Sequence, residues 1–189
     1  LNAVYDELIR RYENKTLSFR NVVVFNAYEY YPLQKKSSVR TINQLKERFL
    51  NHVDIAEQNI FTLDGFVAQD AVQDCCRLYE QRIKTFGGLD VALIGIGRSG
   101  NIAANEPGSG IQSITRLILI GNTSREEMEN SEQTKETLPP CSLTMGIATL
   151  LAAKTVYLTA WGEEKAEIMQ KVVENSITDS LPASFLQTH

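Results

Sequence analysis

The stretch that most constrains the fold runs from Leu89 to Pro107, LDVALIGIGRSGNIAANEP. Its first half, Leu89 to Ile94, is short, apolar and rich in branched residues, which predicts a strand buried on both faces of a mostly parallel sheet. It breaks into Gly95-Ile96-Gly97-Arg98-Ser99-Gly100, where glycine lets the backbone turn sharply and bring its N–H groups close to a ligand. In open α/β sheets ligands bind beyond the carboxyl ends of the strands, so this loop is the expected pocket floor.

The surrounding pattern fits that placement. Helical stripes are expected at Val4–Tyr12, from Thr41 (as N-cap) to Leu50, and at Gln69–Phe86 with Val72, Cys75, Leu78, Tyr79, Ile83 and Phe86 inward. Further helices are expected from Ser124, over Leu143–Ala153 and from Gly162 to about Asn175. Strands are expected at Asn21–Phe25, Ile60–Leu63, Thr115–Ile120 and Thr155–Trp161, with Asn26–Pro32 as a loop. This alternation predicts a three-layer α/β/α domain with a mostly parallel, Rossmann-like sheet, one domain over residues 1–189.

Composition excludes several classes of function. The chain has 189 residues, 43% hydrophobic and 22% charged, and a net charge of −4 with no basic block, which argues against a nucleic-acid partner. No apolar run is long enough for a membrane span and the start carries no signal pattern. Cys75, Cys76 and Cys141 lack metal-type spacing and suit free thiols of a cytoplasmic protein. Histidine is confined to His52 and His189.

Gly95, Gly97 and Gly100 match G-x-G-x-x-G spacing, the signature of a dinucleotide site. That site needs a long helix directly after the loop, and Pro107-Gly108 interrupts too soon; the ribose-binding acid is also missing, since Ile120 is followed by Gly121-Asn122. A glycine turn that only permits close packing is a second reading.

The loop and its continuation, Gly95-Ile96-Gly97-Arg98-Ser99-Gly100-Asn101-Ile102-Ala103-Ala104-Asn105-Glu106-Pro107, resemble the glucosamine-6-phosphate deaminase (isomerase) signature G-[IV]-G-x-D-G-H-I-A-F-N-E-P. Phe25-Asn26-Ala27-Tyr28-Glu29-Tyr30 is similar to that family's F-N-M-D-E-Y, His52-Val53-Asp54-Ile55 to D-H-V-D-I, and Leu143 to Leu151 to L-T-V-G-V-G-T-L-L. Gly162-Glu163-Glu164-Lys165-Ala166 and Leu186-Gln187-Thr188-His189 continue in the same order, so the resemblance covers nearly the whole chain.

The resemblance implies the fold shared with 6-phosphogluconolactonases, a sugar-phosphate ligand, no metal or redox cofactor, and conversion of an amino-sugar phosphate to a keto-sugar phosphate with release of ammonia. By position the family's proton-shuttling Asp falls on Tyr28, its relay Asp on Ser99 and its ring-opening His on Asn101; the relay Glu is retained as Glu106. A tyrosine with an ordinary pKa near 10 is a poor base at neutral pH, and neither a hydroxyl nor a carboxamide exchanges protons with a sugar there. Lys165 is retained at the start of the last helix, while the family's phosphate loop falls before Leu1 and its last strand after His189. A domain truncated at both ends is therefore expected, fused to others or assembled with copies of itself. Glu106 is the one catalytic candidate; Gly95, Gly97, Ser99, Gly100, Asn101, Tyr28 and Lys165 are the candidate substrate-binding set. Two further readings stay open: an active enzyme with a proton path rewired through Glu106, and a non-enzymatic interaction module.

Overall fold

A computed structural model describes residues 1–35, 37–131 and 136–189. The apolar stripe near the start forms α1 (Asn2–Glu13), which lays Tyr5, Leu8, Ile9 and Tyr12 on Phe19, Ile42, Phe49 and Leu50. There the Tyr5 and Phe49 rings stack at 5.2 Å. Helix α2 (Thr41–Arg48) contributes Ile42 to the same cluster. Thr41 is its first residue rather than its cap: the N-cap is Arg40, and the Thr41 hydroxyl donates to the Tyr28 carbonyl instead.

Two short parallel pairs carry the expected sheet direction. β1 (Val24–Phe25) lies along β3 (Ile60–Phe61), and β4 (Val91–Gly95) lies along β7 (Thr155–Thr159) in the register Val91 to Thr155 through Gly95 to Thr159. β4 is covered on one face rather than both. Ala92 and Ile94 are buried, Val91 is 57% exposed, and its partner strand leaves Tyr157 equally open.

A second sheet is antiparallel: β2 (Tyr28–Tyr31), β6 (Cys141–Thr144) and β5 (Arg116–Leu119), with β6 in the middle. Two expectations are corrected here. Residues 28–31 are a strand, not a loop, because their backbone pairs along β6 and Ala27 O accepts the Met145 N–H at 2.9 Å. The apolar run from Leu143 is not one helix. Its first residues are held between two strands, and only α5 (Ile147–Leu151) is helical. Ser113 starts that helix, its hydroxyl accepting the Ile147 N–H and its carbonyl the Ala148 N–H.

Helix α3 (Val72–Thr85), preceded by a 3-10 turn at Gln69–Ala71, buries Val72, Cys76, Tyr79 and Ile83. The buried face is therefore rotated from the expected one: Leu78 and Phe86 are 55% and 49% exposed. Spacings of four, three and four residues keep one side of a 3.6-residue helix on the core. Its Glu80 Oε1 accepts from the Thr115 N–H and from the hydroxyls of Thr115 and Thr149, tying α3 to the entry of β5 and to α5. Helix α4 (Asn122–Ser131) follows β5, and α6 (Ala166–Glu174) adds Val172 to the main core with Ile94, Ile96, Ile102, Leu143 and Leu150. The α/β class of the sequence reading holds. Among the described residues no helix is long and apolar enough to cross a membrane, and Cys75, Cys76 and Cys141 are unbridged.

Candidate functional site

The glycine loop leaves the carboxyl end of β4 as expected. Gly97 N–H donates to Asn101 O at 2.9 Å and Gly100 N–H to Gly97 O at 3.0 Å, which closes a tight turn. A Cβ on Gly97 would collide with the Asn101 carboxamide, so that close approach requires glycine. Gly100 has φ +77° and packs on Leu181, while its carbonyl accepts the Ala183 N–H at 2.9 Å. Leu181 and Ala183 thus brace the loop at Gly100.

Ser99 and Asn101 are brought together. Ser99 Oγ donates to Asn101 Oδ1 at 2.8 Å, Ser124 Oγ from α4 lies 3.4 Å from Ser99 Oγ, and Asn101 is 5% exposed. The two side chains at the positions where the resemblance places an acid and an imidazole are therefore bonded to each other. Neither is a base, and the carboxamide has no titration to offer in the physiological range.

Asn105 is fully buried and uses all of its polar groups that the neighbours can meet. Nδ2 donates to Ile102 O and Met145 O, and Oδ1 accepts from Arg116 Nη1 at 2.8 Å. Arg116 Nη2 continues to Ser109 Oγ at 2.8 Å. Glu106 stands differently: among the described residues its buried Oε1 has no hydrogen-bond partner, and Oε2 lies 3.0 Å from where a Cβ on Gly121 would stand.

Tyr28 sits on β2 opposite Thr144, and the Thr144 hydroxyl in turn accepts the Ala104 N–H from the glycine loop's continuation at 3.2 Å. Its ring meets Tyr30 edge to face at 6.1 Å in the second hydrophobic cluster. Tyr30 and Tyr31 are buried and serve as packing residues. Glu29 points to the other side of the strand. Its fully buried carboxylate accepts the Thr41 and Tyr30 N–H groups on Oε1, has no partner for Oε2 among the described residues, and burial pushes its pKa up from 4.5.

Lys165 ends the 3-10 turn Glu163–Lys165 and pairs with Glu127 Oε1 of α4. The other oxygen of that carboxylate accepts the Arg98 N–H of the glycine loop at 2.8 Å. Neither histidine approaches this region: His52 bonds Glu47 O and His189 bonds Ala153 O. Two surface hollows of about 400 and about 760 Å³ lie elsewhere, one between α1 and Trp161, the other between Pro32, Gln34, Lys35 and Ser37 on one side and residues 136–140 on the other. Among the described residues no cluster of histidine, cysteine and carboxylate side chains is arranged to hold a metal.

Sequence reasoning missed Glu127 and Arg116. Arg116 carried a signal, being a charge inside the apolar run Thr115 to Ile120. Glu127 carried none, because it stands among other charges on a polar helix.

The whole chain, residues 1–189, matches the family described as glucosamine-6-phosphate isomerases/6-phosphogluconolactonase. A glucosamine-6-phosphate deaminase-like protein of Bacteroides thetaiotaomicron is 58% identical over 186 residues, which are 98% of this chain and 28% of that protein. The chain thus spans less than a third of that relative's length. The glucosamine-6-phosphate deaminase of Oceanobacillus iheyensis is 35% identical over 187 residues, 99% of this chain and 74% of that one. The solved structure of a monomeric glucosamine-6-phosphate deaminase superposes with a TM-score of 0.92 at 33% identity, covering 100% of this chain and 77% of that one. The 6-phosphogluconolactonase of Thermotoga maritima gives a TM-score of 0.72 at 18% identity over 97% of this chain and 74% of that one, a likeness of fold alone.

Proposed function

The chain belongs to the glucosamine-6-phosphate isomerase/6-phosphogluconolactonase family, and on that premise we propose that it is a sugar-phosphate-binding domain of amino-sugar metabolism with little or no deaminase activity, working as a module of a longer protein. The observation that carries this reading is the closed Ser99–Asn101 pair. Deamination with ring opening needs a positioned acid and base whose pKa values lie near the working pH. The family's positions for them hold a hydroxyl and a carboxamide bonded to each other, and the third holds the Tyr28 phenol. The relatives named as deaminases of glucosamine 6-phosphate support the class of ligand. The Bacteroides relative, more than three times as long as this chain, supports the larger protein.

A second reading is favoured by one observation, the unpartnered buried oxygen of Glu106. A carboxylate held without a donor is available to a ligand hydroxyl or amine, and an active enzyme with a proton path rewired through Glu106 would use it so. That reading predicts that Glu106→Gln abolishes turnover at an unchanged melting temperature.

The test is run on the intact protein with glucosamine 6-phosphate and fructose 6-phosphate. A rise in melting temperature with these ligands and no measurable ammonia release is the expected result. Turnover of the ordinary enzymatic order, about 1 per second or faster, overturns the reading in favour of the Glu106 route. No thermal shift with any hexose phosphate overturns it in favour of an interaction module.

A further inference from the structure

The carboxylate of Glu127 gathers three segments distant in sequence. It comes from α4, holds Lys165 Nζ on Oε1 at the entry to α6, and takes the Arg98 N–H of the glycine loop on Oε2. The Lys165 side chain is 12% exposed and that of Glu127 27%, so the pair is largely shielded from water and its attraction is correspondingly strong. A cation and a loop N–H are the donors that an anionic ligand group needs. Here both are already bonded to a side chain of the same protein.

We propose that Glu127 is a built-in anionic occupant of the ligand pocket's anion-binding pair. A sugar phosphate binds at Lys165 and Arg98 N–H by displacing the carboxylate, and Glu127 thereby sets the affinity and disfavours phosphorylated over unphosphorylated sugars. This inference rests on the reading of the domain as a sugar-phosphate binder. The geometry supports displacement over a permanent staple. The carboxylate sits at the end of a flexible side chain more exposed than the lysine it covers, and α4 is otherwise tied down by Arg125, which donates to Leu138 O and Pro139 O. While the carboxylate stays, it cancels the lysine's charge and repels a phosphate; once it leaves, the ligand inherits both donors.

Isothermal titration of the intact protein with glucosamine 6-phosphate, and separately with unphosphorylated glucosamine, tests this. Glu127→Gln keeps the shape and removes the charge. It is expected to bind glucosamine 6-phosphate about tenfold tighter or more, as the release of one charge-assisted contact implies, with no change for glucosamine. Glu127→Ala, which also frees the Arg98 N–H, is expected to gain at least as much, and adding Lys165→Met to either variant is expected to erase the gain. A purely structural ion pair predicts a lower melting temperature and no gain in affinity. If the native protein binds glucosamine 6-phosphate and both Glu127 variants bind it equally or more weakly, the inference is overturned and the binding site stands. If native and variant proteins alike fail to bind any hexose phosphate, the sugar-phosphate reading itself fails, and the inference with it.

Discussion

Asn105 Oδ1 accepts a 2.8 Å hydrogen bond from Arg116 Nη1, joining the loop after β4 to the edge strand β5. The same carboxamide donates to Ile102 O and Met145 O, so one buried side chain holds the glycine loop's continuation, β5 and the end of β6 in a single arrangement. In the sequence Asn105, Glu106 and Pro107 form one motif. In the structure Asn105 carries the architecture, while Glu106 lays its carboxylate against Gly121 with Oε1 buried.

Asn105→Ala removes both donors and the acceptor at once and leaves buried partners unsatisfied. We expect a loss of about 2–4 kcal/mol in unfolding free energy, measured by urea denaturation. A loss below about 0.5 kcal/mol, the range of neutral surface changes, would show that the network does not hold the loop.

Gly97→Ala places a methyl group against the Asn101 carboxamide, which is buried and bonded to Ser99. Overpacking of this kind costs about 1–3 kcal/mol. The strain falls on the loop, so the melting temperature should drop and any thermal shift with glucosamine 6-phosphate should shrink with it. A variant as stable and as ligand-responsive as the native chain contradicts the tight turn.

Glu29 makes stability depend on pH. Burial is the largest cause of its raised pKa, ahead of the opposing hydrogen bonds from Thr41 and Tyr30 and the Arg40 charge. The folded chain therefore holds this proton more tightly than the unfolded chain. The stabilising contribution is complete below the ordinary value of 4.5 and is lost as pH rises through the folded value. A glutamine keeps an acceptor for the two N–H groups and carries no charge. Relative to the native chain, Glu29→Gln should become progressively more stable as pH rises above 4.5 and through the raised folded value, followed by thermal melts across pH. Parallel pH profiles for the two proteins would remove Glu29 as the cause.

Restoring the family's side chains tests the site's ancestry. Tyr28→Asp, Ser99→Asp and Asn101→His together should raise ammonia release from glucosamine 6-phosphate by about a hundredfold or more over the native chain, the scale of general acid–base catalysis. A triple variant that folds, binds glucosamine 6-phosphate and releases no more ammonia than the native chain would break the positional link between these residues and the chemistry.

Local signals located the main elements. The apolar run and glycines at Leu89–Gly100 gave β4 and the turn after it, and the stripe at Val4–Tyr12 gave α1, because each is written in spacing over a few residues. The antiparallel sheet was hidden. Tyr28–Tyr31 and Cys141–Thr144 are short, lack a clear alternation, and become strands through tertiary pairing, with each other across more than a hundred residues and, for Cys141–Thr144, with β5 as well. The rotated face of α3 was hidden for a related reason: several apolar residues compete for the inner side, and the neighbours choose among them.

The sequence by itself determined the α/β class and the position of the glycine loop, since both follow from local order, and its resemblance to the family implied which residue types stand at the catalytic positions. The tertiary structure decided what those residue types do. It paired Ser99 with Asn101, buried Glu29 against the start of α2, left one oxygen of Glu106 without a partner, and set Glu127 across Lys165 and the loop. These relationships join side chains from separate segments, and the energy of each depends on burial and on the partner it meets. Neither quantity exists until the chain has folded.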